Sequence, residues 1–169
     1  PGPRSTGCVG LAILKHVSDE IHGVFADLSE PALEVARHNI TALHLTGRAL
    51  AFQADAAKPA DPVLGRFQLI VCNPPYIPTA EISTLDIEVQ KEPHMALDGG
   101  ADGLDFYRAV SRNYASALTC GGTLAFEVGL GQFEAVMAIL EQAGYSKVQY
   151  FCDLAGVERV VTGCWEQGL

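Results

Sequence analysis

The chain has 169 residues, 49% of them apolar, and a formal net charge of −9. That is about one domain's worth of sequence, with enough apolar material for a sizeable core. The acidity and the scattered placement of Lys and Arg disfavour a nucleic acid as main partner, because phosphate binding rests on clustered basic residues.

No apolar run reaches the roughly 18 residues that a membrane-spanning helix needs. No basic start leads into an apolar stretch, as a secretory signal would. The five cysteines, Cys8, Cys72, Cys120, Cys152 and Cys164, form no C-x-x-C pair, so neither zinc nor a redox motif is expected. They read as buried, reduced thiols of a cytoplasmic protein. The five histidines show no metal-ligand spacing.

In chain order, residues 7–17 read as a helix opening with small residues, and 22–27 as a short strand. Ser29 suits an N-cap and Pro31 the first turn of a helix running to about Leu43. Leu33, Ala36, Ile40 and Leu43 would give that helix its apolar face. Residues 49–55 form a further strand. Residues 67–72 (FQLIVC) are nearly all apolar and end at Asn-Pro-Pro, the pattern of a strand buried on both faces. The irregular stretch from Pro74 to about Gly103 is too long for a passive connection and reads as a functional loop.

A helix is expected over 104–118, then a Gly121-Gly122 turn and a buried strand over 123–128. Residues 133–143 form a helix stopped by Gly144. Strands 148–152 and 159–162 follow, joined too tightly for a parallel crossover, so they pair antiparallel. Strand–helix alternation implies an open α/β sheet. With the antiparallel C-terminal hairpin, it suggests a Rossmann-like sheet of the methyltransferase kind. Such sheets bind ligands at the carboxyl ends of their strands, where Asp27, Asp55 and Asn73 all fall.

Asn73-Pro74-Pro75-Tyr76 carries the sharpest signal. Two prolines fix φ and remove two backbone donors, and the residue before a proline is pushed to extended backbone. The segment should leave the sheet rigid, with its carbonyls available. The Asn73 side-chain oxygen and the Pro74 carbonyl could each accept one N–H of a planar –NH₂ group and aim its nitrogen at a methyl sulfonium. Two acceptors orient the delocalised lone pair and stabilise positive charge developing on nitrogen. Tyr76 could stack on the planar group or wall it in. The plainer alternative is a strand-ending turn.

Asp27 could take both hydroxyls of a ribose, or merely cap a turn. Asp55 with Ala56 could lie beside an adenine, although turns favour Asp in any case. Gly7 and Gly10, in Gly7-Cys8-Val9-Gly10, permit close backbone approach to a ligand or close helix packing. In the turn-rich stretch 92–103 the carboxylates could cap the helix that follows, and His94 reads as a surface residue.

These residues resemble a known family. Asn73-Pro74-Pro75-Tyr76-Ile77-Pro78, Glu92-Pro93 with Ala96-Leu97-Asp98-Gly99-Gly100, and Asp102-Gly103-Leu104-Asp105-Phe106-Tyr107-Arg108 are similar to the HemK-type protein-(glutamine-N5) methyltransferases. Asp153-Leu154-Ala155-Gly156 with Arg159-Val160-Val161 is similar too, so the resemblance runs from about Thr6 to Gly163. The tetrapeptide alone is shared with adenine methyltransferases, and the neighbouring stretches make the match specific. The resemblance implies S-adenosylmethionine as cofactor and methylation of a glutamine side-chain amide. In the branch that Phe106-Tyr107-Arg108 and residues 153–161 favour, this is the Gln of the Gly-Gly-Gln motif in peptide chain release factors. A sister branch modifies a ribosomal protein. By the same resemblance Asp27 binds the ribose and Asp55-Ala56 the adenine. Asn73 touches both cofactor and substrate, and Pro74, Pro75 and Tyr76 line the glutamine pocket.

The start departs from the family. Members carry an N-terminal helical domain and a first strand ending in Asp-x-Gly-x-Gly-x-Gly. Here only Gly7 matches the last glycine, while Pro1, Pro3 and Ser5 stand where the acid and two glycines are expected. Residues 1–5 read as foreign to the family and 6–169 as an N-terminally truncated catalytic domain whose first, central strand is missing. Weak or absent cofactor binding and self-association through exposed sheet edges are the expectation. The mechanism implied is direct transfer to the amide nitrogen, with the proton lost to water. The alternatives are an adenine methyltransferase acting on DNA or RNA and a non-catalytic, self-associating fragment. A nicotinamide oxidoreductase lacks an intact Gly-x-Gly-x-x-Gly here.

Overall fold

The structure is a computed structural model that describes residues 7–90 and 93–167. It has two compact units, Pro1–Ala56 and Ala57–Leu169. The opening residues 1–5 and Glu92 of the family-like stretch lie outside the described residues.

The first unit contains α1 (Cys8–His16), β1 (Gly23–Asp27), α2 (Glu30–Ala42) and β2 (Ala49–Gln53), with β1 and β2 parallel. Leu11, Leu14, Ile40 and Leu45 form its core, with Phe25, Ala49 and Ala51 packed against them. Ser29 caps α2 as its sequence suggests: its hydroxyl accepts from the Ala32 N–H at 3.4 Å, with Pro31 in the first turn. Leu43 departs from expectation. The helix ends at Ala42, so Leu43 sits at the cap and is 39% exposed. His44 then takes φ +59°, and the Leu45 N–H returns to the Ile40 carbonyl at 2.9 Å. That helix-ending turn puts Leu45 into the core place expected of Leu43. Arg48 secures the chain between α1 and β1, donating to the Leu14, Ser18 and Ile21 carbonyls and pairing with Asp19.

The second unit contains β3 (Phe67–Cys72), α3 (Ile87–Gln90), α4 (Asp105–Asn113), β4 (Leu118–Glu127), α5 (Phe133–Gln142), β5 (Ser146–Cys152) and β6 (Glu158–Trp165). Its four-stranded sheet has the order β3-β4-β6-β5. β3 and β4 are parallel, and the β5–β6 hairpin is antiparallel, as its short connection requires. Leu124, Phe126 and Val161 on one face are fully buried, as are Tyr107 of α4 and Val136 and Leu140 of α5. Tyr107 meets Phe126 edge-on, with ring centroids 5.1 Å apart.

Two expectations need correction. β3 is not buried on both faces: Leu69 is 46% and Val71 45% exposed. Register places Ile70 and Cys72 beside Leu124 and Phe126, on the face covered by the helices of this unit, and alternation turns Leu69 and Val71 the other way. The expected helix over 104–118 is shorter. α4 ends at Asn113, residues 115–117 form a tight 3₁₀ turn, and β4 already begins at Leu118. Tyr107, Val110, Ala115, Ala117 and Leu118 are all buried, so their apolar spacing did not distinguish a helix from a turn entering a strand.

The cysteines are free, but Cys8, Cys120 and Cys152 are exposed rather than buried. Cys152 ends β5, at the edge of the four-stranded sheet, where one side has no neighbouring strand to cover it. Cys72 is partly accessible as a residue, yet its thiol faces the layer interior, and burial pushes its pKa up to about 12.

Candidate active site

In the second unit, β3 delivers Asn73 at its carboxyl end. Asn73 is exposed, Pro74 is buried, and Pro75 and Tyr76 are partly buried. The segment is held from downstream. The Ile77 N–H donates to the Leu97 carbonyl at 3.0 Å, the Gly99 N–H to the Ile77 carbonyl at 2.9 Å, and Gln132 Nε2 to the Tyr76 carbonyl at 2.9 Å. The expectation of available carbonyls therefore fails at Tyr76, because Gln132 already occupies that acceptor. No described residue bonds the Pro74 carbonyl.

The 97–103 turn lies directly against Tyr76. A β-carbon on Gly103 would overlap the Tyr76 carbonyl oxygen, and one on Gly99 would come within 2.8 Å of the Tyr76 Cα. Asp98 holds this turn, accepting from the Thr79 hydroxyl at 2.7 Å and the Gly100 N–H at 3.0 Å. Those two bonds, the Thr79 one foremost, hold its carboxyl below the usual range. Asp102 accepts from the Leu104 N–H and from Arg108, whose hydrogen bonds do most to bring the Asp102 pKa down to about 2. The carboxylates thus brace the turn that leads into α4, but they do not cap the helix as expected: its N-cap is Leu104, with no side-chain cap hydrogen bond.

Both folded-state values lie below the ordinary carboxylate pKa of about 3.9. The Asp102 contribution is therefore present above about pH 4 and lost as pH falls through about 2, and that of Asp98 is likewise lost below the ordinary carboxylate range. After correction for intrinsic exchange rates, amide protection at Leu104 should drop between pH 4 and pH 2 and that at Gly100 should also fall on acidification, with Leu124 and Phe126 still protected. Unchanged protection of the turn at pH 2 would refute this.

Behind the turn a chain of buried hydroxyls links α4 to β4 and to Tyr145, which lies between α5 and β5. The Tyr145 hydroxyl donates to the Ser111 carbonyl at 3.0 Å, the Ser111 hydroxyl to the Tyr107 carbonyl at 2.7 Å, and the Tyr107 hydroxyl to the Glu127 carbonyl at 3.0 Å. Burial raises the pKa of both phenols, so they stay protonated and keep donating.

In the first unit, Asp27 ends β1, and register pairs it with Gln53 at the end of β2. The Ala54 N–H donates to the Asp27 carbonyl at 3.0 Å, which brings Asp55 and Ala56 to the same edge. Asp27 Oδ1 also accepts from the Ser29 N–H at 2.8 Å, so the residue serves its turn as well. α1 runs antiparallel to β1, and its start therefore faces this edge too. Gly7, the N-cap, has φ +70°, a left-handed conformation that favours glycine. Gly10 is a packing residue: a β-carbon there would lie 2.5 Å from Phe25 Cε1.

Gly7, Asp27, Asp55 and Ala56 thus share the carboxyl edge of the two-stranded parallel sheet. Residues 5–91 match the family described as methyltransferase small domain. The chain belongs to that family. It is 41% identical over 160 residues to the release factor glutamine methyltransferase of Cereibacter sphaeroides, covering 93% of this chain and 55% of that protein. It is 43% identical over 155 residues to the protein of the same name from Rhodospirillum rubrum, covering 91% and 46%. The chain spans about half the length of these relatives. A methyltransferase from Pyrococcus furiosus shares the fold, with a TM-score of 0.68 at 15% identity, covering 95% of this chain and 70% of that one. The fold is that of a Rossmann-like S-adenosylmethionine-dependent methyltransferase, as the alternation of elements led one to expect.

The implied cofactor is S-adenosylmethionine, and the first unit suits its nucleoside part. A carboxylate ends one parallel strand, a second follows its neighbour, and a left-handed glycine opens the adjacent helix, which is an arrangement able to accept hydroxyl and amino protons while allowing close backbone approach. No described helix is long and apolar enough to cross a membrane. Gln132, Gly103 and Tyr107 escaped the sequence reading as site-supporting residues. For Gln132 a signal existed: it follows Gly129-Leu130-Gly131 just beyond a buried strand parallel to β3, hence at the edge where Asn73 emerges.

Proposed function

We propose that this chain carries the catalytic site of an S-adenosylmethionine-dependent methyltransferase acting on a glutamine side-chain amide. The substrate we assign is the Gly-Gly-Gln motif of peptide chain release factors, modified in the cytoplasm. The observation that carries the proposal is the rigid segment at the carboxyl end of β3, with an exposed Asn73 and a Pro74 carbonyl that no described residue engages. Identity with proteins named for this activity, across nearly the whole chain, supports the choice of glutamine over adenine.

When bound, the cofactor supplies an electrophilic methyl group. Asp27 would hold its ribose hydroxyls, Asp55 and Ala56 its adenine, and Gly7 would admit close backbone contact. Asn73 and Pro74 would each accept one amide N–H of the substrate. Holding both protons fixes the plane of the –NH₂ group and favours the positive charge that develops on nitrogen. Pro75 and Tyr76 would wall the pocket and exclude water.

The test is a side-by-side methylation assay with labelled methyl donor, offering a release factor, DNA and RNA. Label on the Gly-Gly-Gln glutamine, located by peptide mass mapping, is the expected result. Label only in nucleic acid would end the glutamine reading.

A further inference from the structure

We propose that Gln132 is a positioning residue whose side-chain amide locks the Asn73–Tyr76 segment into the conformation that presents its acceptors. The kinetic part of this proposal rests on the glutamine-methylating reading, and the conformational part does not.

The two prolines leave positions 74 and 75 without N–H groups, so the segment has few donors of its own with which to anchor itself. Beyond the Tyr76 N–H, the next donor downstream is the Ile77 N–H, which is bound to the Leu97 carbonyl. Between them stands the Tyr76 carbonyl, which accepts from Gln132 Nε2 at 2.9 Å across 56 residues of sequence. Gln132 is itself fixed. Its Oε1 accepts from the Gly129 N–H at 3.2 Å, and its own N–H donates to the Gly129 carbonyl at 3.1 Å.

The orientation of the amide follows from its partners. Gly129 offers a donor and Tyr76 an acceptor, so a flipped amide would set oxygen against oxygen and N–H against N–H. Only a carboxamide of this length serves both. The glycines on either side leave it room. A β-carbon at Gly129 would lie 2.6 Å from Gln132 Oε1, and one at Gly103 2.8 Å from Nε2. Gln132 therefore selects which acceptors remain for substrate: Tyr76 is taken, while Asn73 and Pro74 are left.

Three forms of the protein decide the matter: the parent chain, Q132E and Q132M. Glu keeps the acceptor for Gly129 but sets a carboxylate against the Tyr76 carbonyl, and Met lacks both functions. Each is followed by thermal melting, by nuclear magnetic resonance of the Tyr76 amide and the Asn73 side-chain –NH₂, and by methylation of a peptide containing Gly-Gly-Gln.

In both variants we expect the Tyr76 and Asn73 resonances to broaden or split, with melting within a few degrees of the parent. The same variants should lose about tenfold or more in kcat, with KM for the methyl donor within twofold. Single, unshifted resonances with kcat within twofold would overturn the proposal. Collapse of melting in both variants would also overturn it, by reducing Gln132 to a structural bond. If the parent methylates no glutamine peptide but the variants still show split resonances, the functional reading falls and the positioning role stands.

Discussion

Asn73→Ala is expected to lower glutamine methylation by about a hundredfold or more, the scale of losing one well-placed polar group at a reacting centre. Melting should not change, because Asn73 is exposed, lies just past the last residue of β3, and has no side-chain bond to any described residue. The loss should fall on kcat more than on KM, since the acceptor matters most as charge builds on the nitrogen. Asn73→Asp keeps an oxygen in place and should lose less than Asn73→Ala. Turnover by Asn73→Ala within threefold of the parent would remove the tetrapeptide from the chemistry and leave it a strand-ending turn.

The same residue shows how far the sequence alone could be read. β3 and Asn73 were legible because an apolar run stopped by Asn-Pro-Pro leaves the chain no other way to end a strand. α2 was legible because Ser29 and Pro31 are local signals with local consequences. What escaped was non-local. Gln132 and Tyr76 meet across 56 positions, and nothing in either neighbourhood states that one carbonyl will be taken by the other's amide.

The faces of β3 escaped for a related reason. Apolar composition marks residues able to be buried, but the covering layer decides which of them are. The helices of the second unit cover the face of Ile70 and Cys72, and Leu69 and Val71 stay half exposed. Asp98 and Asp102 were legible as carboxylates of a turn-rich stretch, but they hold that turn and do not cap α4. Their bonds to Thr79 and Arg108 had to be seen in the fold.

Gly103 offers the second large effect, on both stability and activity. Its φ is +75°, and a β-carbon would overlap the Tyr76 carbonyl oxygen and press on Gln132 Nε2. Gly121, at φ +80°, is an informative comparison because a β-carbon there meets nothing within 4 Å. Gly121→Ala carries only the left-handed strain, about 1–2 kcal/mol. For a chain of this length that is a fall of a few degrees in melting temperature, at about 2–4 °C per kcal/mol.

Gly103→Ala carries the same strain and also forces either the 99–103 turn or Tyr76 to move. Its melting temperature should fall at least twice as far. Methylation should be lost beyond what the unfolded fraction explains, because the displaced atom belongs to the segment that holds the substrate amide. Equal shifts for the two variants, with activity retained in Gly103→Ala, would mean that the turn yields without disturbing Tyr76. The close approach would then be packing of no consequence for the site.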